Sequence, residues 1–211
     1  MNDPFQPECF YHVYNHANGN ENLFRCSENY SYFLKKYGEY IEPVAETLCY
    51  CLMPNHFHFL VRIKNEGSFY AFIKNRSSKA LQGFKTLEGM GAVEKISAIN
   101  RIVTLQFSHL FNCYTQSYNR LFNRKGSLFI PRFNRKEIDS NDYLTKIIHY
   151  IHYNPIHHGF CKCIDEWPFS SYKTILSDKP TKLSRETVLQ WFGGHKEYIQ
   201  FHKWQPELIL E

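Results

Sequence analysis

Two histidines separated by a single residue, His56 and His58, stand in the segment Leu52–Val61. Residues i and i+2 of a β-strand project from the same face, so both imidazoles would point one way while Phe57 and Phe59 point the other. Two neutral imidazoles on a rigid strand can chelate a divalent cation and leave space for a third ligand and a substrate. Most His-x-His pairs on exposed strands are only polar surface. The pair therefore indicates chemistry only in combination with a second element.

That second element is a helix predicted from Tyr143 to Tyr153 and ended by Pro155 and Gly159. Tyr150 and Asn154 lie one helical turn apart and share a face of this helix. A tyrosine hydroxyl can act as a nucleophile once it has lost its proton, and an amide oxygen can bind a hard cation. A strand with two imidazoles and a helix with a phenol and an amide would together form a metal-assisted nucleophilic site.

A basic segment lies between these elements in the sequence. No Asp or Glu occurs from Lys95 to Lys136, although the net charge of the chain is only +5. Its cations are interleaved with Phe122, Phe129 and Phe133, a pattern that suits phosphates and stacked bases. A solvated face of a basic protein explains the same pattern about as well. The predicted phosphate-binding side chains are Arg120, Arg124, Lys125, Arg132, Arg135 and Lys136.

Composition limits the class of protein. The 211 residues fit one domain of generous size, and the 43% hydrophobic content, with 18 Phe and 15 Tyr, is ample for a packed core. No apolar run approaches the ~18 residues that span a bilayer, and the first residues lack the pattern of a secretory signal. We therefore expect a cytoplasmic protein with no membrane partner.

The seven cysteines include two Cys-x-Cys pairs, Cys49/Cys51 and Cys161/Cys163. Structural zinc sites normally use Cys-x-x-Cys spacing, so the pairs are weak evidence for zinc. Cys49 and Cys51 also alternate within an apolar strand, where cysteine behaves as a small hydrophobe. We expect free cysteines in a reducing compartment.

Hydrophobic periodicity predicts strands and helices in mixed order. The segment from Asn65 to Ala92 contains several glycines and gives only a weak signal for a short helix. The stretch from Ser127 to Phe133 is predicted to be extended. The other strands are predicted at Phe10–Tyr14, Thr47–Met53 and His56–Ile63. The other helices are predicted from an N-cap at Ser27 to Pro43, along a stripe from Ile99 to Phe122 followed by a C′ glycine at Gly126, and near Arg185–Phe192 and Glu197–Lys203.

Four segments occur in the order of a known family. They are Leu52–Phe59, Gly126–Phe133, His149–Gly159 and Trp167–Tyr172. In this combination the chain resembles the HUH single-tyrosine transposases, and within them most closely the group associated with repetitive extragenic palindromes. The resemblance covers roughly residues 10–172. It predicts a transposase and nuclease domain over residues 1–172 and a short helical extension of unknown role over residues 173–211.

The resemblance implies an α+β, ferredoxin-like fold of the HUH endonuclease type, in which helices pack on an antiparallel sheet. It implies that His56 and His58 bind Mg²⁺ or Mn²⁺, that Asn154 is the third ligand, and that Tyr150 is the nucleophile. The implied reaction is cleavage of single-stranded DNA near hairpins through a 5′-phosphotyrosyl intermediate, in the transposition or mobilisation of repetitive palindromic elements. The basic side chains named above would then bind the DNA.

Several alternatives stay open at this stage. Tyr153 is the second candidate for the nucleophile. It lies about 300° around the helix from Tyr150 and therefore faces roughly the same side. The chain could instead be a domesticated protein that binds hairpin DNA without cutting it, or a nickase of the relaxase or replication-initiator kind. Some relatives in the family build two active sites across a homodimer, whereas the palindrome-associated group resembles monomers.

Overall fold

The computed structural model describes residues 3–74, 87 and 89–203. Within this part of the chain, both strands and helices are present, in mixed order along the sequence. The strands are β1 (Phe10–His16), β2 (Ala45–Met53), β3 (His56–Ile63) and β4 (Asn134–Ile138), and the helices are α1 (Ser27–Ile41), α2 (Glu66–Lys74), α3 (Ala92–Leu121), α4 (Asn141–His157), α5 (Tyr172–Leu176), α6 (Arg185–Phe192) and α7 (His195–Lys203).

The four strands form one antiparallel sheet in the order β2-β3-β1-β4. With α1 between β1 and β2 and α3 between β3 and β4, this is the β-α-β-β-α-β arrangement of ferredoxin-like proteins. The predicted ferredoxin-like α+β fold is therefore confirmed. No helix in the described residues is both long and apolar enough to cross a membrane.

The sheet separates two hydrophobic cores. Successive side chains of β3 point to opposite faces of the sheet and therefore enter the two cores in turn. Phe57 and Phe59 belong to the core shared with α1 and α3, where Phe59 stacks on Tyr37 with ring centroids 4.1 Å apart. Leu60 belongs to the second core, together with Ile147 of α4. Because His56 and His58 are on the same side of the strand as Leu60, the sheet directs both imidazoles toward α4.

The C-terminal extension is part of the second core. Ile175, Val188 and Tyr198 are fully buried in the same cluster as α4. Segments near this extension also pair with the edge strand β2. The backbone N–H of Ser171 donates to Tyr50 O at 2.9 Å, that of Ser184 donates to Thr47 O at 2.9 Å, and Leu52 N donates to Phe169 O at 2.9 Å.

Several predicted boundaries are corrected by the structure. The extended stretch predicted at residues 127–133 is followed by an unpredicted strand, β4. Asn123, in the left-handed region at φ 48°, is the C′ residue of α3 in place of Gly126. Cys26 is the N-cap of α1, and Ser27 is its first helical residue. Residues 75–86 of the weakly patterned segment lie outside the described residues, as do residues 204–211 of the extension.

Helix α4 extends further than predicted at both ends. It begins at Asn141 and continues through Pro155 to His157. A proline removes one intrahelical donor, but only a short final turn follows it, and the backbone N–H of His158 still donates to Asn154 O at 2.9 Å. Gly159 then adopts a positive φ of 73° and ends the helix.

Candidate active site

The structure brings the predicted strand pair and the predicted helix together. The rings of His56 and His58 have centroids 5.3 Å apart on β3. The ring of Tyr150, from α4, lies edge-on to His58 with a centroid distance of 5.7 Å. Two segments that are distant in the sequence thus present two imidazoles and one phenol to the same space.

Asn154 lies one turn after Tyr150 and is 2% exposed. Its Nδ2 donates to the backbone carbonyl of Tyr150 at 2.9 Å. This hydrogen bond commits the amide nitrogen to the helix, so the side-chain oxygen is the atom that can bind a cation. The helix therefore positions the predicted nucleophile and the third predicted ligand as one unit.

Both predicted strand ligands are neutral imidazoles. Burial, followed by the neighbouring His158 and His16, lowers the pKa of His56 to about 3. Burial, followed by His12, holds the pKa of His58 well below its ordinary value. The Nδ1 of His56 contacts Asn55 Oδ1 at 2.8 Å and must donate to that oxygen, which leaves the lone pair on Nε2.

This donor set fits a divalent cation. Neutral imidazoles bind such ions through a lone pair, and a hydrogen bond at the other ring nitrogen normally orients the ligand. Among residues 3–74, 87 and 89–203, no three His, Cys, Asp or Glu side chains are arranged to hold a metal ion. The predicted set is of a different kind, because its third member is the amide of Asn154.

The cysteines take no part in this site. All seven are free, and Cys49 and Cys51 are fully buried in the core beneath α4. They behave as the small hydrophobes that the strand pattern predicts.

Further imidazoles surround the pair, and the sequence analysis missed them. His12 on β1 contacts His58, with its Nε2 2.8 Å from the Nδ1 of that residue. His16 stacks on His56 with ring centroids 5.4 Å apart, and His158 approaches His56 edge-on at 4.8 Å. His12 lies within the predicted strand Phe10–Tyr14, whereas His16 lies beyond its predicted end, because β1 continues to His16. The proximity of both to β3 depends on strand pairing.

The environment of Tyr150 disfavours its phenolate. Burial raises the pKa of Tyr150, and the Asn154 side chain opposes this shift while Tyr14 and Tyr143 add to it. The free protein therefore keeps this hydroxyl protonated at neutral pH. To act as the predicted nucleophile, Tyr150 would need a nearby cation or a proton acceptor.

Tyr153 occupies a different flank of α4. Its ring stacks on His149 with a centroid distance of 5.4 Å. The ring of His149 in turn lies edge-on to Phe201 of α7, with ring centroids 6.0 Å apart. The structure thus directs Tyr153 toward the C-terminal extension, whereas Tyr150 faces His58. Of the two tyrosines, Tyr150 has the geometry of the predicted nucleophile.

Two of the six predicted DNA-binding side chains are bonded within the protein. Arg124 donates from Nε to Glu21 Oε1 at 2.8 Å and from Nη2 to Ser127 O at 2.8 Å. Arg135 donates to the Asp3 carbonyl and to Asn100 Oδ1, the latter at 3.1 Å. These guanidinium groups hold the loop after α3 and the N-terminal segment in place. Contact of either with DNA stays a prediction.

The other four, Arg120, Lys125, Arg132 and Lys136, are exposed. Lys136 lies on the α4 side of β4, where its Nζ is 5.7 Å from the centre of the Tyr143 ring, and its charge helps lower the pKa of the neighbouring His12. Lys136 is therefore the predicted cation nearest the candidate site.

Arg132 lies at a groove of about 610 Å³ between α3 and the loop before β4. The wall on α3 is uncharged and is polar except for Phe111, and the described lining contains no Asp or Glu. Arg132 itself has a positive φ of 66°. The α3 residues of the lining are Thr104, Ser108, Phe111, Asn112 and Thr115.

Comparison with known proteins agrees with the fold. No family model matches the chain. A protein of Haemophilus influenzae named as a REP-associated tyrosine transposase is 24% identical over 127 residues, which are 60% of this chain. The match spans 58% of the length of that curated relative.

A solved structure of a REP-associated tyrosine transposase bound to a REP hairpin has the same fold, with a TM-score of 0.54. The superposition covers 85% of this chain and 87% of that one, at 15% sequence identity. This chain is similar to the REP-associated tyrosine transposases. The resemblance predicted from the four sequence segments is confirmed, and the fold is that of the REP-associated enzyme.

Proposed function

We propose that this chain is a metal-dependent transposase and endonuclease that cleaves single-stranded DNA beside a hairpin. Tyr150 is the proposed nucleophile, and the product is a 5′-phosphotyrosyl intermediate used to transpose or mobilise repetitive palindromic elements. The observation that carries the proposal is the approach of the Tyr150 ring to His58, at 5.7 Å between centroids. The similarity to REP-associated tyrosine transposases supports the choice of hairpin DNA as partner.

His56, His58 and Asn154 would hold the cation, Mg²⁺ or Mn²⁺. When bound, such an ion polarises the non-bridging oxygens of a phosphodiester and favours a phenolate nearby. Imidazole ligands favour Mn²⁺, whereas water and phosphate oxygens can complete the coordination that Mg²⁺ prefers.

The chain's own residues perform the transfer. The hydroxyl of Tyr150 gives up its proton to solvent and its oxygen forms a bond to phosphorus. The bond from phosphorus to the 3′ oxygen breaks, and this oxygen takes up one proton from solvent to become a 3′ hydroxyl, so no net proton is gained or lost. The backbone of α4 fixes Tyr150 relative to Asn154 through the 2.9 Å amide hydrogen bond. Because the energy of the phosphodiester is retained in the phosphotyrosine, a later 3′ hydroxyl can rejoin the DNA without ATP.

The DNA backbone would follow the exposed cations. Lys136 stands beside His12 on the catalytic side of the sheet, and Arg132 stands at the groove next to α3. A groove without carboxylates suits a phosphodiester chain, and its aromatic wall suits an unpaired base. Such phosphate contacts position DNA but do not read its sequence.

The experiment that tests the proposal is a covalent-adduct assay. A hairpin oligonucleotide with a single-stranded flank is incubated with Mn²⁺ and the protein, and adducts are separated on a denaturing gel. We expect Tyr150→Phe to abolish the adduct and to leave hairpin affinity within about twofold, since one hydroxyl is removed and the ring is kept.

Tyr153→Phe is the matched control, because it removes the same hydroxyl one turn away on the flank that faces α7. Its adduct yield should equal that of the unmodified protein. An undiminished adduct with Tyr150→Phe would overturn the assignment of the nucleophile. Hairpin binding without any adduct from the unmodified protein would favour the non-cleaving alternative.

A further inference from the structure

The contact between His12 and His58 is the shortest link between β1 and the candidate metal site. Tyr14, two residues after His12, is directly opposite His58 in the antiparallel pairing of β1 with β3, so His12 lies diagonally across from it. The Nε2 of His12 is 2.8 Å from the Nδ1 of His58, and the two rings are 5.0 Å apart at an angle of 19°. Both side chains are buried.

A contact of this length between two ring nitrogens requires one proton between them. Two N–H groups would repel each other, as would two lone pairs. Both rings are buried, and burial favours the neutral imidazole, which carries a single proton and has one donor and one acceptor nitrogen. Only two arrangements satisfy the contact.

The two arrangements differ in what His58 offers to the site. If His12 Nε2 donates, His58 accepts at Nδ1 and carries its proton on Nε2, where no lone pair remains for a cation. If His58 Nδ1 donates, His12 Nε2 accepts, and the lone pair of His58 lies on Nε2. Only the second arrangement makes His58 a ligand.

We propose that His12 is a positioning residue, which accepts a hydrogen bond from Nδ1 of His58 and so fixes the ligand-competent tautomer and ring orientation. The inference rests on the proposed function for the identity of the ligand. His56 has an equivalent partner, because its Nδ1 is 2.8 Å from Asn55 Oδ1. Each member of the strand pair is thus held through Nδ1, by a different neighbour.

His12 also reaches the nucleophile. Its ring stands edge-on to Tyr150 with a centroid distance of 6.0 Å, and it stacks on Tyr14 at 4.8 Å. One side chain on β1 therefore contacts both the metal-ligand strand and the tyrosine helix. Loss of its acceptor nitrogen would disturb His58 while the packing around Tyr150 could be kept by a ring of similar size.

The test compares two substitutions at position 12. His12→Phe keeps an aromatic ring but removes the acceptor, whereas His12→Gln restores an acceptor oxygen at similar reach. The first measurement is the tautomer of His58 in the metal-free protein, from long-range ¹H–¹⁵N NMR correlations. We expect the proton on Nδ1 in the unmodified protein and in His12→Gln, and loss of this preference in His12→Phe.

The second measurement is the affinity for Mn²⁺, from the signal of the free ion in electron paramagnetic resonance. We expect His12→Phe to weaken binding by about 10- to 100-fold and His12→Gln by only a few fold. His16→Phe is the control, since the imidazole of His16 stacks on His56 and its Nδ1 bonds to Ala17 O. Its Mn²⁺ affinity should stay within a few fold of the unmodified protein's.

A proton on Nε2 of His58 in the unmodified protein would overturn the inference, as would equal Mn²⁺ affinities for His12→Phe and His12→Gln. These outcomes are separate from failure of the proposed function. If Tyr150→Phe still forms the covalent adduct while His12→Phe alters the tautomer, the nucleophile is wrong and the role of His12 stands.

Discussion

Helix α4 buries histidines on two sides, and the two sides use them differently. Toward the sheet, the ring of Tyr150 lies edge-on to the imidazole of His58 on β3. Toward the extension, His152 is fully buried, with Nδ1 3.0 Å from His202 Nε2 and Nε2 2.8 Å from Ser171 Oγ. Both ring nitrogens of His152 are thus occupied by protein groups.

The histidines on the sheet side are bonded at one nitrogen. Within the described residues, the hydrogen bonds of His56 and His58 involve Nδ1 in both rings. A ring bonded at both nitrogens can only hold structure together, whereas a ring bonded at one nitrogen can still bind a ligand. The difference lies in the number of occupied nitrogens, because burial lowers the pKa of the histidines on both sides.

The largest expected effects come from removing one histidine from each side. His58→Ala should reduce Mn²⁺-dependent adduct formation by at least about 100-fold, because a proposed metal ligand is lost. Mn²⁺ at about 100 times its Kd should raise the free energy of unfolding of the unmodified protein by about 2.7 kcal/mol, and His58→Ala should lose this gain. The covalent-adduct assay measures the loss of adduct formation. Thermal and urea unfolding with and without Mn²⁺ measure the stabilisation and its loss.

The matched change on the other side is His202→Leu. It leaves His152 Nδ1 without this partner and should lower the free energy of unfolding by about 1–3 kcal/mol. The stabilisation by Mn²⁺ should be unchanged. Equal loss of the Mn²⁺ effect in both variants would show that the two clusters are one functional unit.

Acid should destabilise the protein through both clusters. The pKa of His12, His56 and His202 is lowered to about 3 by burial, against about 6.5 in an unfolded chain. Below about pH 6.5, the unfolded chain therefore binds protons that the folded chain does not. The free energy of unfolding should fall by about 1.4 kcal/mol per pH unit for each such histidine as the pH drops toward 3.

Urea unfolding between about pH 6 and pH 4 measures this slope. His202→Leu should reduce the slope by about 1.4 kcal/mol per pH unit, because one of these histidines is absent. Mn²⁺ should raise the free energy of unfolding without changing this slope, because His56 and His58 are already neutral in the folded protein at these pH values. A free energy of unfolding that does not change with pH in this range would contradict the neutral, buried state of the clusters.

The smallest expected effects concern arginines, where the same distinction between occupied and available groups applies. Arg132→Ala should weaken hairpin binding a few fold and reduce the slope of log affinity against log salt by about 1. Arg124→Ala should leave that salt slope unchanged and lower the free energy of unfolding by about 1 kcal/mol, because its guanidinium bonds to Glu21 and Ser127. A salt titration of binding distinguishes the two.

If Arg124→Ala and Arg132→Ala reduced the salt slope equally, bonding within the protein would not predict which cations contact DNA. Lys146→Ala is the control for charge alone, since Lys146 is exposed on α4 and lies outside the basic segment.

The sequence was sufficient for features that depend on local periodicity. The alternation of a strand predicted that His56 and His58 share a face, and the bounds of β3 match the prediction. Helical spacing likewise predicted that Tyr150 and Asn154 share a face of α4. These relations require only residues that are near each other in the chain.

Features that depend on pairing between distant segments were not predictable from one sequence. His12 contacts His58 because of the register of β1 against β3, and a shift by one residue would place His12 on the opposite face. The sequence alone predicts that Arg124 and Arg135 are available cations. In the fold they bond to Glu21 and Asp3, which are distant in the sequence. Long-range contacts decide which polar groups are occupied.

The pairing along β2 has a consequence for assembly. A strand at the rim of a sheet can accept a strand from another molecule through its unpaired backbone groups. Here backbone groups of Thr47, Tyr50 and Leu52 are already bonded to the chain's own later segments. A homodimer of this protein would therefore have to join through another surface, since a second copy could not extend the sheet past β2 without displacing those segments.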